Sequence, residues 1–321
     1  MEPSLIKTMK LNSYLKSTAK VTEIGLGAWQ LGVESGWKGL SELEATGLVH
    51  AALDRGINFF DTAPNYGHGT GEDRLGRALR GVDRDSIVIN TKFGHTDHGT
   101  MNYESDYIRT SLEGSLRRLQ LDYVDSLIIH NPPSSYLNGT QNDHYEILER
   151  LKEEGKIKGY GASIDTADDL RILMGTTGAT VVEAFYNILH QDIAQAFDIM
   201  KERGAAVIAK IPLDSGWLSG KYDAQSVFSG VRGRWSRADI SQRATLVDRV
   251  REIIGSEKNM AQAAIAFCLA DPAVTTVIPG CLSIDQLDQN IAAAEYQLAE
   301  ETVLQLREFY QNEVACLKLP W

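Results

Sequence analysis

The run 57-INFFDT-62 is a short stretch of β-branched and aromatic residues that stops on an aspartate. Two further runs of the same kind carry a titratable side chain at their ends, Lys92 in 86-SIVINTKF-93 and His130 in 126-SLIIHN-131. Their apolar residues are nearly continuous rather than alternating, the pattern of parallel strands covered on both faces. Working outward, 23-EIGLGAW-29 precedes them, and 158-KGYGASI-164, 180-TVVEAFYN-187, 206-AVIAKIP-212 and 275-TTVIPG-280 follow, which makes eight strands. Helical periodicity separates them over 41–55, 104–119, 143–154, 241–255 and 260–270. Gly56, Gly81, Gly155 and Gly204 each close a helical run, as glycines after a helix C-terminus do.

The successive strand ends Asp61, Lys92, His130, Ile164, Asn187 and Ile211 lie between 23 and 38 residues apart, and one β–α unit needs about 30. The longer step from Ile211 to Pro279 holds two helices and a long loop. This rhythm predicts an α/β fold, a (β/α)8 TIM barrel spanning residues 1–321 as a single domain. An open doubly wound sheet would want a GxGxxG turn after its first strand, and 25-GLGAWQ-30 lacks the third glycine. Residues 8–17 are expected to belong to an N-terminal β-hairpin plugging the barrel floor. No linker, repeat or low-complexity tract divides the chain.

Composition narrows the function. Among 321 residues, 32 Lys and Arg face 43 Asp and Glu, a net charge of −11. That balance argues against a nucleic-acid partner, which requires clustered cations. With 43% apolar and 23% charged residues the chain has an ordinary soluble mix. No apolar run approaches the ~20 residues of a membrane span, and residues 1–6 show no secretory signal. Cys268, Cys281 and Cys316 are an odd, widely spaced set, suited neither to a disulfide framework nor to a metal site. The expected setting is the cytoplasm, with no metal and no membrane partner.

In a barrel the C-terminal strand ends converge on one mouth, so Asp61, Lys92 and His130 should share a pocket. Tyr66, in 61-DTAPNY-66, can fold back over it. Each residue alone has a plain reading: a turn-forming Asp, a solvated Lys, a hydrogen-bonded His, a rim Tyr. Four at one mouth do not, because buried charge is expensive unless paired. A tyrosine hydroxyl with pKa near 10 can serve as general acid if a cation such as Lys92 stabilises its phenolate. Asp61 would hold Lys92, and His130 would orient a substrate oxygen. The set suits protonation of a carbonyl oxygen while a nicotinamide supplies hydride to the carbon.

At these residues the chain resembles the aldo-keto reductase superfamily. The likeness is carried by 56-GINFFDTAPNYGHGTGEDRLGRAL-79, 90-NTKFG-94, 115-SLRRLQLDYVDSLIIHNP-132, 152-KEEGKIKGYGAS-163, 212-PLDSGWLSGKY-222 and 277-VIPGCLSIDQLDQN-290. Its shape is closer to the bacterial and channel β-subunit-like branches than to mammalian aldose reductases. The resemblance implies NADP(H) lying extended across the C-terminal mouth, and Asp61, Tyr66, Lys92 and His130 as a catalytic tetrad with Tyr66 as general acid/base. It implies cofactor contacts from Trp29, Ser163, Glu183 and Lys210. Further contacts are implied from Pro212, Leu213, Ser215, Gly216, Leu218 and Gly220 around the pyrophosphate. Gly280, Ser283, Gln286, Gln289 and Asn290 are implied at the adenosine end. For Ser283 a helix cap is the plain reading, and both roles can hold at once.

The chain departs from the family at three of these positions. The usual Ser-Asn pair is Ser163-Ile164, the usual Gln is Glu183, and the usual aromatic is Lys210. The stretch 278–290 also carries no cation for a 2′-phosphate, only Asp285 and Asp288, so NADP(H) is favoured with NAD(H) as the alternative. Trp29, Trp37, Tyr66, Phe93, His95, Pro132 and Tyr222 are expected to supply an apolar substrate pocket for a small carbonyl, alcohol or sugar. The alternative function is a cofactor-binding regulatory subunit with little turnover. A third is a Schiff-base enzyme with Lys92 as nucleophile.

Overall fold

A computed structural model describes residues 9–16, 19–32, 39–256, 258–317 and 319–320. Trp37 lies outside the described residues, as do residues 8 and 17 of the expected hairpin. Eight parallel strands stand in chain order: β3 Leu26–Gly27, β4 Phe59–Asp61, β5 Val88–Phe93, β6 Val124–His130, β7 Ile157–Ile164, β8 Val181–Phe185, β9 Ala206–Lys210 and β10 Val274–Val277. The last strand returns to the first, since the Gly25 amide donates to the Val277 carbonyl and the Val277 amide to the Glu23 carbonyl, each at 2.9 Å. The molecule is a (β/α)8 barrel. Ahead of it, β1 Leu11–Tyr14 and β2 Ala19–Thr22 form an antiparallel hairpin.

The helices are α1 Trp29–Gly32, α2 Glu42–Asp54, α3 Thr70–Ala78, α4 Tyr107–Leu119, α5 His144–Glu153, α6 Ala167–Thr176, α7 Phe197–Arg203, α8 Arg237–Ile254, α9 Met260–Leu269, α10 Ile284–Ala292 and α11 Glu300–Phe309. Helix α8 begins four residues before its apolar periodicity does, because Ser236 and Asp239 form a reciprocal capping box. Strand β9 ends at Lys210, one residue short of the expected end, because Ile211 turns to φ +56°.

Alternate residues of each strand turn into the barrel. Phe59, Val88, Ile128, Val181, Ala206, Ile208 and Ile278 meet Tyr14, Leu15 and Val21 of the hairpin in an interior cluster. Outward-facing Phe60, Ile89, Ile129, Val182 and Val207 join the helices in a second, larger core. Burial on both faces explains why the strands read as unbroken apolar runs. One inward step further along the same strands the residues become polar: Phe59 gives way to Asp61, Val88 to Asn90 and then Lys92, Val181 to Glu183, Ile208 to Lys210. The barrel is therefore apolar at its floor and charged at its mouth.

The loop after β9 is sharply turned, with Ile211, Asp214 and Ser215 all at positive φ. Asn187 Nδ2 holds the Ile211 carbonyl at 2.9 Å. Asp214 is locked to α8 by Arg243, whose Nε donates to its Oδ2 at 3.0 Å with both side chains fully buried. Removing one partner of such a pair leaves a buried uncompensated charge. Arg243→Met is therefore expected to lower the unfolding free energy by about 3–5 kcal/mol in urea denaturation. A loss below about 1 kcal/mol would show that the pair does not anchor this loop.

Candidate active site

Lys92 is wholly buried, and five oxygens surround its ammonium. Both Asp61 carboxylate oxygens lie at 2.7 Å, the Thr62 carbonyl at 3.0 Å, Glu183 Oε2 at 3.1 Å and the Tyr66 hydroxyl at 3.3 Å. Burial disfavours the cation, but the Asp61 and Glu183 carboxylates outweigh it and hold Lys92 well above its ordinary value. An ammonium held this firmly does not serve as a Schiff-base nucleophile, which requires the free amine.

Tyr66 reaches this cluster from a loop seated on α1 by two glycines. Gly67 sits at φ +61°, and a Cβ there would fall 1.7 Å from the Gly32 carbonyl oxygen; one on Gly32 would fall 2.2 Å from the Tyr66 carbonyl oxygen. Burial raises the Tyr66 hydroxyl above its usual value; Lys92 pulls it down, and Asp61 and Glu183 add to the rise. The lowering expected from Lys92 is thus present but outweighed, because the hydroxyl is desolvated and two carboxylates face it. The phenol keeps its proton until an acceptor arrives.

His130 is kept neutral, pushed well below its usual value by burial and then by Lys92, His95 and Lys210. Its ring stacks on His95 at 4.2 Å between centroids and meets the Tyr66 ring edge-on at 6.1 Å. The Tyr103 hydroxyl donates to the His130 carbonyl at 2.8 Å, and its oxygen lies 2.9 Å from His95 Nε2. With its one proton used on the carbonyl, Tyr103 accepts from His95, which sets the His95 tautomer.

A buried polar chain runs from the floor to Asp61. Asn90 Nδ2 donates to Asp61 Oδ1 at 2.7 Å, Ser126 Oγ to Asn90 Oδ1 at 2.5 Å, and Tyr14 of the hairpin lies 2.7 Å from Ser126 Oγ. Because the Ser126 proton goes to Asn90, Tyr14 donates to Ser126, and every proton points towards the carboxylate. Such chains strengthen cooperatively at low dielectric.

On the other side, Glu183 Oε1 accepts from Ser163 Oγ at 3.1 Å. Lys210 Nζ lies 2.9 Å from Ser163 Oγ, 2.6 Å from Asn131 Oδ1 and 2.9 Å from Asp165 Oδ1. Burial, with the Glu183 carboxylate facing it, pushes Asp61 up to about 7. Against burial, Lys92 and Lys210 hold Glu183 below the usual carboxylate range.

These groups sit at one end of a cavity of about 1140 Å³. Asp61, Tyr66 and His130 line that end, and the cavity runs past Trp29, Glu183, Lys210, Pro212, Leu213, Ser215, Gly216 and Gly220 to Gly280, Gln286, Gln289 and Asn290. Four of the expected catalytic and cofactor residues are not in its wall, nor are Phe93, His95, Pro132 and Tyr222 of the expected substrate pocket. Lys92 and Ser163 stand behind it, Leu218 is buried, and Ser283 Oγ caps α10 by accepting from the Gln286 amide at 3.2 Å. Phe93 is fully buried and does not serve a substrate pocket. Tyr222 packs against Trp217 and Phe228.

The wall also holds five cations that the sequence reading missed: Lys221, Arg232, Arg234, Arg251 and Lys258. The stretch 278–290 supplies no cation; the cations come instead from the 221–258 segment, which lines the same cavity. Asp288, one of the two acids there, is paired with Arg55. Among the described residues no group of three or more His, Cys, Asp or Glu side chains is placed to hold a metal ion, and no helix is long and apolar enough to cross a membrane.

The family model of the aldo/keto reductase family matches residues 23–311. An L-galactose dehydrogenase of Arabidopsis thaliana is 30% identical over 281 residues, 85% of this chain and 84% of that protein. A probable voltage-gated potassium channel subunit beta of the same plant is 28% identical over 89% of this chain and 92% of its own. Among solved structures, an aldo-keto reductase of Bacillus halodurans in its holo form superposes with a TM-score of 0.80 at 27% identity, covering 97% of this chain and 100% of that one.

The raised Asp61 carboxyl has a stability consequence. A group whose folded pKa is about 7, against about 3.9 unfolded, contributes stability that is complete below pH 4 and lost as pH rises through 7. Asp61→Asn removes that titration. Urea denaturation between pH 5 and 8 should give an unfolding free energy that falls less steeply with pH in the variant than in the parent; equal slopes would contradict it.

Proposed function

The chain belongs to the aldo/keto reductase family, whose members are NAD(P)-dependent oxidoreductases, and from that premise we propose that it reduces a small carbonyl substrate with Tyr66 as general acid. The observation that carries the reading is the Tyr66 hydroxyl, 3.3 Å from a buried ammonium and opening onto the long cavity. The donors around the cavity suit an anionic dinucleotide. Ser215 and Gly216, both at positive φ, line the cavity and would bring the backbone close to a pyrophosphate, and the five cations offset the acidity of the chain. A bound nicotinamide supplies the hydride.

The residues do the rest. His130, neutral, offers a hydrogen bond to the substrate oxygen without a second positive charge beside Lys92. Tyr66 donates its proton as negative charge develops on that oxygen, and Lys92 stabilises the phenolate left behind. Asp61 keeps Lys92 charged and aimed. In the oxidative direction Tyr66 takes the proton back. Trp29, Glu183, Lys210, Pro212, Leu213, Ser215, Gly216, Gly220, Gly280, Gln286, Gln289 and Asn290 would hold the dinucleotide, with Ser163, Leu218 and Ser283 supporting them from behind. Arg251 and Lys258, which line the same cavity as Gln286 and Gln289, suit a 2′-phosphate and favour NADP(H) over NAD(H). The chain is read as cytoplasmic.

Tyr66→Phe should lower the reduction rate by about 10²–10⁴-fold while a fluorescence titration shows dinucleotide binding unchanged; full activity of the variant would remove Tyr66 from the mechanism. Replacing Arg251 and Lys258 by alanine should weaken NADPH about tenfold or more, the loss of a charge-assisted hydrogen bond, and NADH much less. Equal losses for both would move the 2′-phosphate elsewhere.

A further inference from the structure

The charged layer at the mouth contains more than the tyrosine's own partners. Lys92 has carboxylates on two sides, Asp61 from β4 and Glu183 from β8, both almost wholly buried. Two carboxylates on one ammonium leave an excess negative charge beside the Tyr66 hydroxyl, which works against a phenolate there. A second buried ammonium, Lys210 on β9, stands on the far side of Glu183, with the Ser163 hydroxyl between them.

The hydrogen bonds have a direction. Lys210 can only donate, and it donates to Asn131 Oδ1 at 2.6 Å and to Ser163 Oγ at 2.9 Å. The single Ser163 proton has two acceptors in reach, Asn131 Oδ1 at 2.9 Å and Glu183 Oε1 at 3.1 Å; with Lys210 already donating to Asn131 Oδ1, the charge-assisted bond to Glu183 is the one it makes. The other Glu183 oxygen faces Lys92 at 3.1 Å. Donors therefore converge on Glu183 from both sides, Lys210 through Ser163 at one oxygen and Lys92 at the other.

We propose that Glu183 and Lys210 are one compensating charge pair, bridged by Ser163, and that Glu183 is a positioning residue that holds Lys92, and through it the Tyr66 hydroxyl, with Lys210 supplying the charge that makes a second buried carboxylate tolerable. Lys210 also meets Asp165 at 2.9 Å, but that carboxylate is 40% exposed, and Lys92 is already matched by Asp61; Lys210 is therefore the buried cation that balances Glu183, and removing either leaves one buried charge in excess, which is costly. The charged and titratable groups that face the pair are Asp61 from β4, Tyr66 from the loop beyond it, Lys92 from β5, His95 just after it, His130 from β6 and Asp165 after β7. None of the others duplicates the link between Lys210 and Glu183.

The test is a double-mutant cycle with Glu183→Gln, Lys210→Met and the double variant, each close to the original in shape. In urea denaturation at pH 7 each single change should destabilise the protein, and the double variant should be no less stable than the weaker single. Losses that simply add would overturn the pairing, and this readout does not depend on turnover. The second readout is the pH profile of reduction and rests on Tyr66 as the general acid. Removing the Glu183 charge should shift the alkaline limb to lower pH, since a negative neighbour is gone. Removing Lys210 should shift it upward, and the double variant should return it close to the parent. Three superimposable profiles would overturn the positioning role. If Tyr66→Phe is inactive and the cycle is additive, the charge pair fails and the proposed reaction stands. If the cycle is coupled but Tyr66→Phe remains fully active, the pair stands and the reaction fails.

Discussion

An ammonium with no access to water is the constraint on which the mouth of this barrel depends. Lys92 can be buried only because three different segments bring oxygens to it: the end of β4 with Thr62, the loop carrying Tyr66, and β8 with Glu183. Moving any of these strands in register by one residue would exchange an inward carboxylate for an outward apolar side chain. Closure of the sheet between Val277 and Glu23 fixes those registers. The parallel barrel and the charged cluster are therefore two descriptions of one geometry.

The floor supports the mouth. Tyr14 packs edge-on against Phe59 at 5.4 Å between ring centroids and begins the line of donors that ends on Asp61. The hairpin is thus more than a plug: it orients the carboxylate that holds Lys92. The same economy appears in the β9 loop, where Arg243 from α8 fixes Asp214 and so the turned backbone that faces the cavity.

Much of this was legible in the chain itself. A charged residue ending an apolar run can only be an inward or terminal strand position, so Asp61, Lys92 and His130 could be placed at one mouth from the sequence. Tyr66 was legible because five residues of a Gly- and Pro-containing loop cannot carry it far. Glu183 and Lys210 were visible as unusual residues, but not as partners of each other, since their meeting at Ser163 depends on the pleat of three neighbouring strands. The net direction of the Tyr66 shift was missed because desolvation depends on the whole enclosure and not on the nearest cation. The five cations of the cavity wall were not legible, because they come from the 221–258 segment and not from the stretch after the last strand. The ring stack of His95 on His130 carried no sequence signal at all.

The account stands on proton delivery from a lysine-held tyrosine to a carbonyl oxygen at this mouth. A single-turnover experiment tests it most directly: the protein is loaded with one equivalent of NADPH, mixed with each member of a panel of aldehydes, ketones and sugars, and followed by nicotinamide absorbance. The account predicts stoichiometric oxidation of the bound nucleotide with at least one class of carbonyl, with an equal amount of alcohol formed. Tight binding of NADPH with no oxidation by any carbonyl in the panel would contradict it, and would leave a cofactor-binding regulatory subunit as the reading.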